Sequence, residues 1–184
     1  MDYTKENVEK CWMILNQSSN TEEKRQADNY LREFQKSPNC FDVCLSLFLS
    51  ENMQNKIAAA FILYQIVRGR VLDLSENKDL FFKLKAMYFN QIIPNLKNLP
   101  TLVVQKVCFG ASILILAGIL TYWQEAIEDI MKFSKESEEK CYIAILILSN
   151  LNFEYSFIAV NQTFGYKIQD VFIGKKDIIF EFIS

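Results

Sequence analysis

Apolar residues recur at helical spacing along most of the chain, whereas the alternation typical of β-strands is scarce before about the last thirty residues. The first apolar stripe has i, i+3, i+4, i+7 spacing and consists of Val8, Cys11, Trp12 and Leu15. Thr4 precedes this stripe, and a threonine side chain can accept a hydrogen bond from the first turn of a helix. The pattern therefore predicts a helix that Thr4 caps and that runs to about Leu15.

A second helix is predicted after the polar turn at 16–20. Thr21 is its expected N-cap, because Glu22 and Glu23 then lie in the first turn, where the helix dipole favours acidic groups. The polar side of this helix carries Arg25, Asn29, Arg32 and Lys36.

Proline and glycine mark the next boundaries. Proline is tolerated in a first helical turn, so Ser37-Pro38 predicts the start of a third helix. Gly69 is a usual helix end, and the segment 72–77 after it is predicted to be a loose link. A further amphipathic helix is expected over 79–93, where Pro94 stops it.

Three segments are apolar on nearly every side, namely 55–69, 102–123 and 141–148. Each follows a more amphipathic helix, and together with the pair of the first two helices this gives four predicted pairs, near 4–37, 38–69, 79–122 and 124–151. The pairs begin about 34 to 45 residues apart, the period of HEAT or armadillo solenoids. We therefore expect an all-α chain: a right-handed α-solenoid of about four HEAT-like antiparallel helix pairs over 1–151. The remainder, 152–184, is expected to be irregular and to begin a fifth repeat of a longer protein.

The segment 102–123 has an alternative interpretation. Its length and apolarity would allow it to cross a bilayer, with Tyr122 and Trp123 at one edge. However, Gln105 and Lys106 shorten the apolar run, and no basic cluster flanks it. Since the other apolar helices also need neighbours, we favour a helix buried between other helices.

Composition excludes several classes of protein. Of the 184 residues, 51% are hydrophobic and 23% are charged, which excludes a disordered chain. A net charge of −2 offers no electrostatic footprint for nucleic acid. The polar N-terminus lacks an apolar signal core, which predicts synthesis and retention in the cytosol.

Residues that carry chemistry are few. The chain has no histidine, which removes the usual general base and most zinc sites. The cysteines form no CxxC pair and lie in apolar stretches, so we interpret them as small buried side chains of a reducing compartment: Cys11, Cys40, Cys44, Cys108 and Cys141. Adjacent acidic residues lie near helix starts, and there is no glycine-rich phosphate loop. We expect no catalytic residues, no cofactor and no metal.

Several runs, taken in order, resemble the N-terminal region of the importin-β (karyopherin) superfamily, most closely the branch of transportin-SR and importin thirteen. The run from Ala27 to Ser37 is similar to the family's second helix, and Lys56 to Gln65 to its Ala-Ala helix. Asn95-Leu-Lys-Asn-Leu99 with the following apolar helix is similar to the third repeat. The likeness covers about residues 5 to 150 and does not extend to 152–174.

The resemblance implies binding rather than catalysis. It implies a nuclear transport receptor whose N-terminal second helices hold the GTP-bound form of the GTPase Ran on a concave face. Protein cargo would bind repeats absent from this chain, and nucleoporins would be further partners. The protein would shuttle between cytoplasm and nucleus through nuclear pores, with no nucleic acid and no membrane among its partners.

The candidate Ran-binding residues lie on three helices. Phe61, Gln65 and Arg68 form one stripe, although ordinary packing also produces such stripes. The resemblance adds the polar side of the second helix, Arg25, Asn29, Arg32 and Lys36, which could equally be a solvated surface. Gln105 and Ser112 complete the set, and Ser112 could instead bond to its own helix. Two other functions stay open: a generic helical-repeat scaffold with another partner, and a membrane protein anchored by 102–123.

Overall fold

A computed structural model of the protein describes residues 2–158 and Gly174. Within residues 2–158 the regular elements are helices and there is no strand, which confirms the all-α prediction. The α-helices of this part are α1 (Lys5–Gln17), α2 (Thr21–Phe34), α3 (Cys40–Phe48), α4 (Met53–Gly69), α5 (Val71–Glu76), α6 (Lys78–Ala86), α7 (Thr101–Gly118), α8 (Ala126–Ser134) and α9 (Glu138–Ile158).

The first two helices form a hairpin with a short connection. The Thr4 hydroxyl accepts a hydrogen bond from the Asn7 backbone N–H at 3.3 Å, so Thr4 is the predicted cap of α1. The prediction that Thr21 caps α2 is wrong. Asn20 is the cap, because its Oδ1 accepts from the N–H groups of Glu22 and Glu23 and its backbone is extended.

Helix α7 is the centre of the molecule. It packs most extensively against α4 on one side and α9 on the other, and α5 also contacts it. The segment Thr101–Gly118 is long and apolar enough to cross a membrane, yet 72% of it is buried inside the molecule. Neighbouring helices therefore account for its apolar composition, as the buried interpretation predicts.

The aromatic residues after α7 also pack against other helices. Trp123 is 6% exposed, and its ring contacts Phe81 and Phe89. The indole N–H donates to Oδ2 of Asp129 at 2.8 Å, and Lys85 lies 3.7 Å from the ring centroid. This surrounding provides both the apolar contacts and the polar partner that a buried tryptophan needs.

Several helix ends differ from the sequence prediction. The expected link at 72–77 is largely helix α5, since Val71 and Leu74 are buried in the core. The expected helix over 79–93 is α6 followed by a π-helical turn, Met87–Ile92, and a 3-10 turn, Ile93–Asn95, which contains Pro94. Proline has no N–H for the helical ladder, so a regular helix cannot continue through it.

The last described helix is longer than predicted. Helix α9 continues seven residues past the expected boundary at 151, because Leu151 and Glu154 are both buried against the molecule. The predicted irregular segment is therefore helical as far as Ile158. The rest of it, apart from Gly174, lies outside the described residues.

Candidate functional site

The exposed side of α4 carries Gln65. Its Oε1 accepts a hydrogen bond from Nε2 of Gln35 at 2.9 Å, and the side chain is otherwise open to solvent. Gln35 follows the last residue of α2, so the pair of amides joins the end of α2 to the C-terminal part of α4. The glutamine that interrupts this apolar helix therefore lies on its exposed edge rather than inside the core.

Phe61, one turn earlier on α4, is half-buried. Its ring centroid lies 5.8 Å from that of Trp12 on α1. On its other side is α7, whose Lys106 Nζ lies 5.2 Å from the Phe61 centroid. Phe61 therefore connects α1, α4 and α7 at the surface.

Lys106 is surrounded by three aromatic rings. Its Nζ lies 4.6 Å from the ring centroid of Tyr64 and 5.3 Å from that of Phe109, in addition to Phe61. The faces of aromatic rings are negative, so each ring attracts the ammonium. The half-buried lysine is thus held in place by α4 and by its own helix.

Arg68 ends the stripe on α4. Its guanidinium lies 5.6 Å from the Tyr64 ring centroid, and its Nε is 3.3 Å from Oε2 of Glu154 on α9. The Tyr64 hydroxyl donates to the other carboxylate oxygen of Glu154 at 2.8 Å. Burial, and then this hydrogen bond to an acid, raises the pKa of Tyr64 to about 12.

The polar residues of α2, together with Lys36 just after its end, lie on an exposed strip and are largely paired with acidic residues of that helix. Arg25 makes two 2.9 Å hydrogen bonds to Glu22. The Nε atom of Arg32 lies 2.7 Å from Oδ2 of Asp28, and the Nζ atom of Lys36 lies 2.6 Å from Oε1 of Glu33. Asn29 is also exposed. The acidic partners therefore offset the positive charge of this strip.

The two candidates on α7 differ in accessibility. Gln105 is half-buried beside Lys106. Ser112 is completely buried, and its hydroxyl oxygen is 2.9 Å from the Cys108 carbonyl oxygen and 2.7 Å from that of Ile147 on α9. Ser112 thus bonds within the core and lies out of reach of a surface partner.

The structure brings Phe61, Gln65 and Arg68 together with side chains that the sequence interpretation did not select. These are Gln35, Tyr64, Lys106, Phe109 and Glu154. The sequence alone could have identified Lys106 as a candidate, because it is the only charged residue of α7 and lies next to Gln105. No local signal identified Glu154, whose partners lie on α4.

Two of the buried cysteines, Cys44 and Cys108, lack the properties of an activated nucleophile. Burial raises the pKa of the Cys44 thiol well above its usual range and that of Cys108 to about 12, whereas a reactive thiol needs a lowered pKa. Within residues 2–158, no three Cys, Asp or Glu side chains converge as ligands for a metal ion.

Comparison with known proteins adds one relative. The chain matches no protein-family model. It is similar to an uncharacterized protein of Schizosaccharomyces pombe, with 29% identity over 135 residues. The aligned region is 70% of this chain and only 13% of the relative. The relative is therefore several times longer than this chain.

Proposed function

We propose that this chain is an N-terminal helical-repeat region of a nuclear transport receptor and that it binds Ran-GTP. The binding surface would be the exposed side of α4 together with the adjoining part of α7, from here called the α4/α7 face. Its residues are Phe61, Gln65, Arg68, Leu102, Gln105 and Lys106. Cargo and nucleoporins would bind elsewhere in a longer protein, which shuttles between cytoplasm and nucleus.

The observation that carries the proposal is the packing order of the apolar helices. Helices α4, α7 and α9 lie side by side, and each follows an amphipathic helix in the chain. In an α-solenoid the second helices of successive pairs stack in this way and share one surface. The fold that we propose is accordingly a HEAT-like solenoid, in which the α4/α7 face would be part of the inner surface.

The side chains on this face suit a protein partner. Phe61 and Leu102 provide apolar contact, Gln65 and Gln105 provide amides, and Lys106 provides a fixed charge. Aromatic residues and arginine are enriched in protein interfaces, and this face carries Phe61 and Arg68. The S. pombe relative supports the proposal by its greater length, since a transport receptor needs further repeats for cargo.

Binding of Ran tests the proposal. The chain is immobilised and exposed to Ran loaded either with a non-hydrolysable GTP analogue or with GDP, and binding is followed by interferometry. The proposal predicts preferential binding of the GTP form. Equal binding of both forms, or none by either this chain or a longer protein that contains it, would favour a helical-repeat scaffold with a different partner.

A further inference from the structure

The α4/α7 face has an unusual distribution of charge. Neither α4 nor α7 contains an aspartate or glutamate, although the whole chain has a net charge of −2. Their three cations are Lys56, Arg68 and Lys106. The two helices that pack side by side at the centre of the molecule are therefore a basic strip on a mildly acidic protein.

Two of these cations are already engaged. Lys56 donates to the Phe48 carbonyl oxygen at 3.3 Å and lies 5.9 Å from the Phe48 ring centroid. Arg68 forms its ion pair with the buried Glu154. Lys106 differs from both, since it makes no ion pair with any residue in the described part of the chain.

The three aromatic rings around Lys106 hold its ammonium group without neutralising it. The rings of Phe61, Tyr64 and Phe109 attract the charge but supply no carboxylate. A long side chain held in this way loses less rotamer freedom when it binds a partner than a lysine that is free in water. Lys106 is therefore a prearranged positive charge.

Apolar surface adjoins this charge. Leu102 lies one helical turn before Lys106 on α7 and is 50% exposed. The half-buried rings of Phe61 and Phe109 also lie beside the Lys106 ammonium group. A ligand that fills this surface would carry a carboxylate beside apolar side chains.

We propose that the ammonium of Lys106 anchors a carboxylate of an acidic, partly apolar protein segment that lies along the α4/α7 face. This inference rests on the proposed function and specifies the chemistry of the partner's contact surface. A nucleic acid fits less well, because tracking a phosphate backbone requires a row of cations without acidic partners, and among the described residues Lys106 is the one such cation of this face. Lys106 is therefore a stronger candidate for a charged contact with a partner than Arg25, Arg32 and Lys36. The charges of those three residues are offset by acidic residues of α2.

Charge removal at Lys106 is the test, with Ran-GTP as the first probe. Lys106→Met keeps an unbranched side chain among the rings and removes the charge. We expect it to weaken Ran-GTP binding about tenfold or more, since bonds to charged groups are among the stronger contacts. Lys106→Arg should retain most of the affinity. Lys83→Met is the matched control, because Lys83 is an exposed lysine that pairs with Asp42 away from this face.

Two measurements keep a folding defect from being mistaken for a binding defect. The far-UV circular dichroism and thermal midpoint of each variant are compared with wild type, and the salt dependence of wild-type binding is recorded. The inference predicts that binding weakens with salt and that Lys106→Met reduces this dependence. If Ran-GTP binds and Lys106→Met leaves both the affinity and its salt dependence unchanged, the inference is overturned.

A second probe separates failure of the inference from failure of the proposed function. If wild type does not bind Ran-GTP, the proposed function fails, and a peptide of alternating glutamate and leucine decides the inference. Binding of this peptide by wild type, but not by Lys106→Met, would support the inference. Equal binding of a lysine–leucine peptide, tighter binding of oligothymidine, or no binding of the acidic peptide would overturn it.

Discussion

The Tyr64 hydroxyl of α4 donates a 2.8 Å hydrogen bond to the buried carboxylate of Glu154 on α9, ninety positions further along the chain. The same carboxylate pairs with Arg68, one helical turn after Tyr64. Since α7 packs against both α4 and α9, these polar contacts join the two helices that flank it. Helices α4 and α9 are thereby connected through one acidic side chain.

Removal of Glu154 should destabilise the fold. Glu154→Leu leaves the Tyr64 hydroxyl without its acceptor and Arg68 without its carboxylate, and breaking a buried pair in this way costs about 3 kcal/mol. Glu154→Gln keeps an acceptor for Tyr64 and should cost less. Urea denaturation of the three proteins measures the free energies of unfolding.

The ion pair between Lys83 and Asp42 is the control for this experiment. Both side chains are more than half exposed, and their charged atoms are 2.8 Å apart. Asp42→Asn should change the free energy of unfolding by less than about 1 kcal/mol, because exposed pairs contribute little. If Glu154→Leu lowers the free energy of unfolding no more than Asp42→Asn does, the contacts of Glu154 with α4 do not stabilise the fold.

Gly110 allows α7 to approach Tyr88. A Cβ atom at position 110 would lie 2.2 Å from the Tyr88 Oη and 2.9 Å from two ring carbons. Gly110→Ala should therefore lower the free energy of unfolding by about 1–3 kcal/mol through overpacking. Adding Tyr88→Phe should recover part of the loss, because the buried hydroxyl has no hydrogen-bond partner among the residues that the structure describes and its removal relieves the closest contact.

Gly69→Ala is the matched substitution, since a Cβ atom there meets nothing within 4 Å. Thermal and urea denaturation should show a clear loss of stability for Gly110→Ala and little change in stability for Gly69→Ala. A similar effect at both positions would mean that backbone freedom, rather than the contact with Tyr88, determines the cost.

Capping of α2 gives a prediction that distinguishes two adjacent residues. Asn20→Ala removes the oxygen that accepts from Glu22 and Glu23 and should cost about 1 kcal/mol. Thr21→Ala changes an exposed first-turn residue and should be close to neutral. Denaturation of the two variants would contradict the structure if their effects were reversed.

Stability should fall at alkaline pH. Burial raises the pKa of Cys108 from an ordinary value of 9.0 to about 12, and it also raises the pKa values of Cys44 and Tyr88. The folded protein therefore keeps protons that the unfolded chain releases, so the free energy of unfolding decreases as pH rises above about 9.

Cys108→Ala isolates the contribution of one thiol. Between about pH 9 and 12 its free energy of unfolding should decline less steeply than that of wild type, by up to about 1.4 kcal/mol per pH unit. Urea denaturation at several alkaline pH values gives the two slopes. Parallel slopes would mean that Cys108 does not titrate with unfolding.

The sequence was sufficient to predict features that depend on local periodicity. Apolar content on every side indicated that 55–69 and 102–123 are enclosed by neighbours, and α4 and α7 are so enclosed. Thr4 was identified as a cap from its position alone. Helix α5 was missed because its six residues are too few for a periodic pattern, and its burial depends on contact with α7.

The candidate site was predictable in part. Gln65 was recognisable as the polar interruption of an apolar helix, but its partner Gln35 is thirty residues away. The polarity of Ser112 makes it a candidate from the sequence, although its hydroxyl bonds to carbonyl groups in the core. Lys106 gained significance only from the rings that surround it, and two of these belong to another helix. Contacts of this kind require the tertiary structure.

Photo-crosslinking tests the central claim, which is that the α4/α7 face is the surface that binds a protein partner. A benzoylphenylalanine is placed at Gln65, at Gln105 or at Phe82, an exposed residue of α6 that is not part of this face. We predict that Ran-GTP is crosslinked from positions 65 and 105 and not from 82. Crosslinking from 82 alone, or equally from all three positions, would contradict the claim.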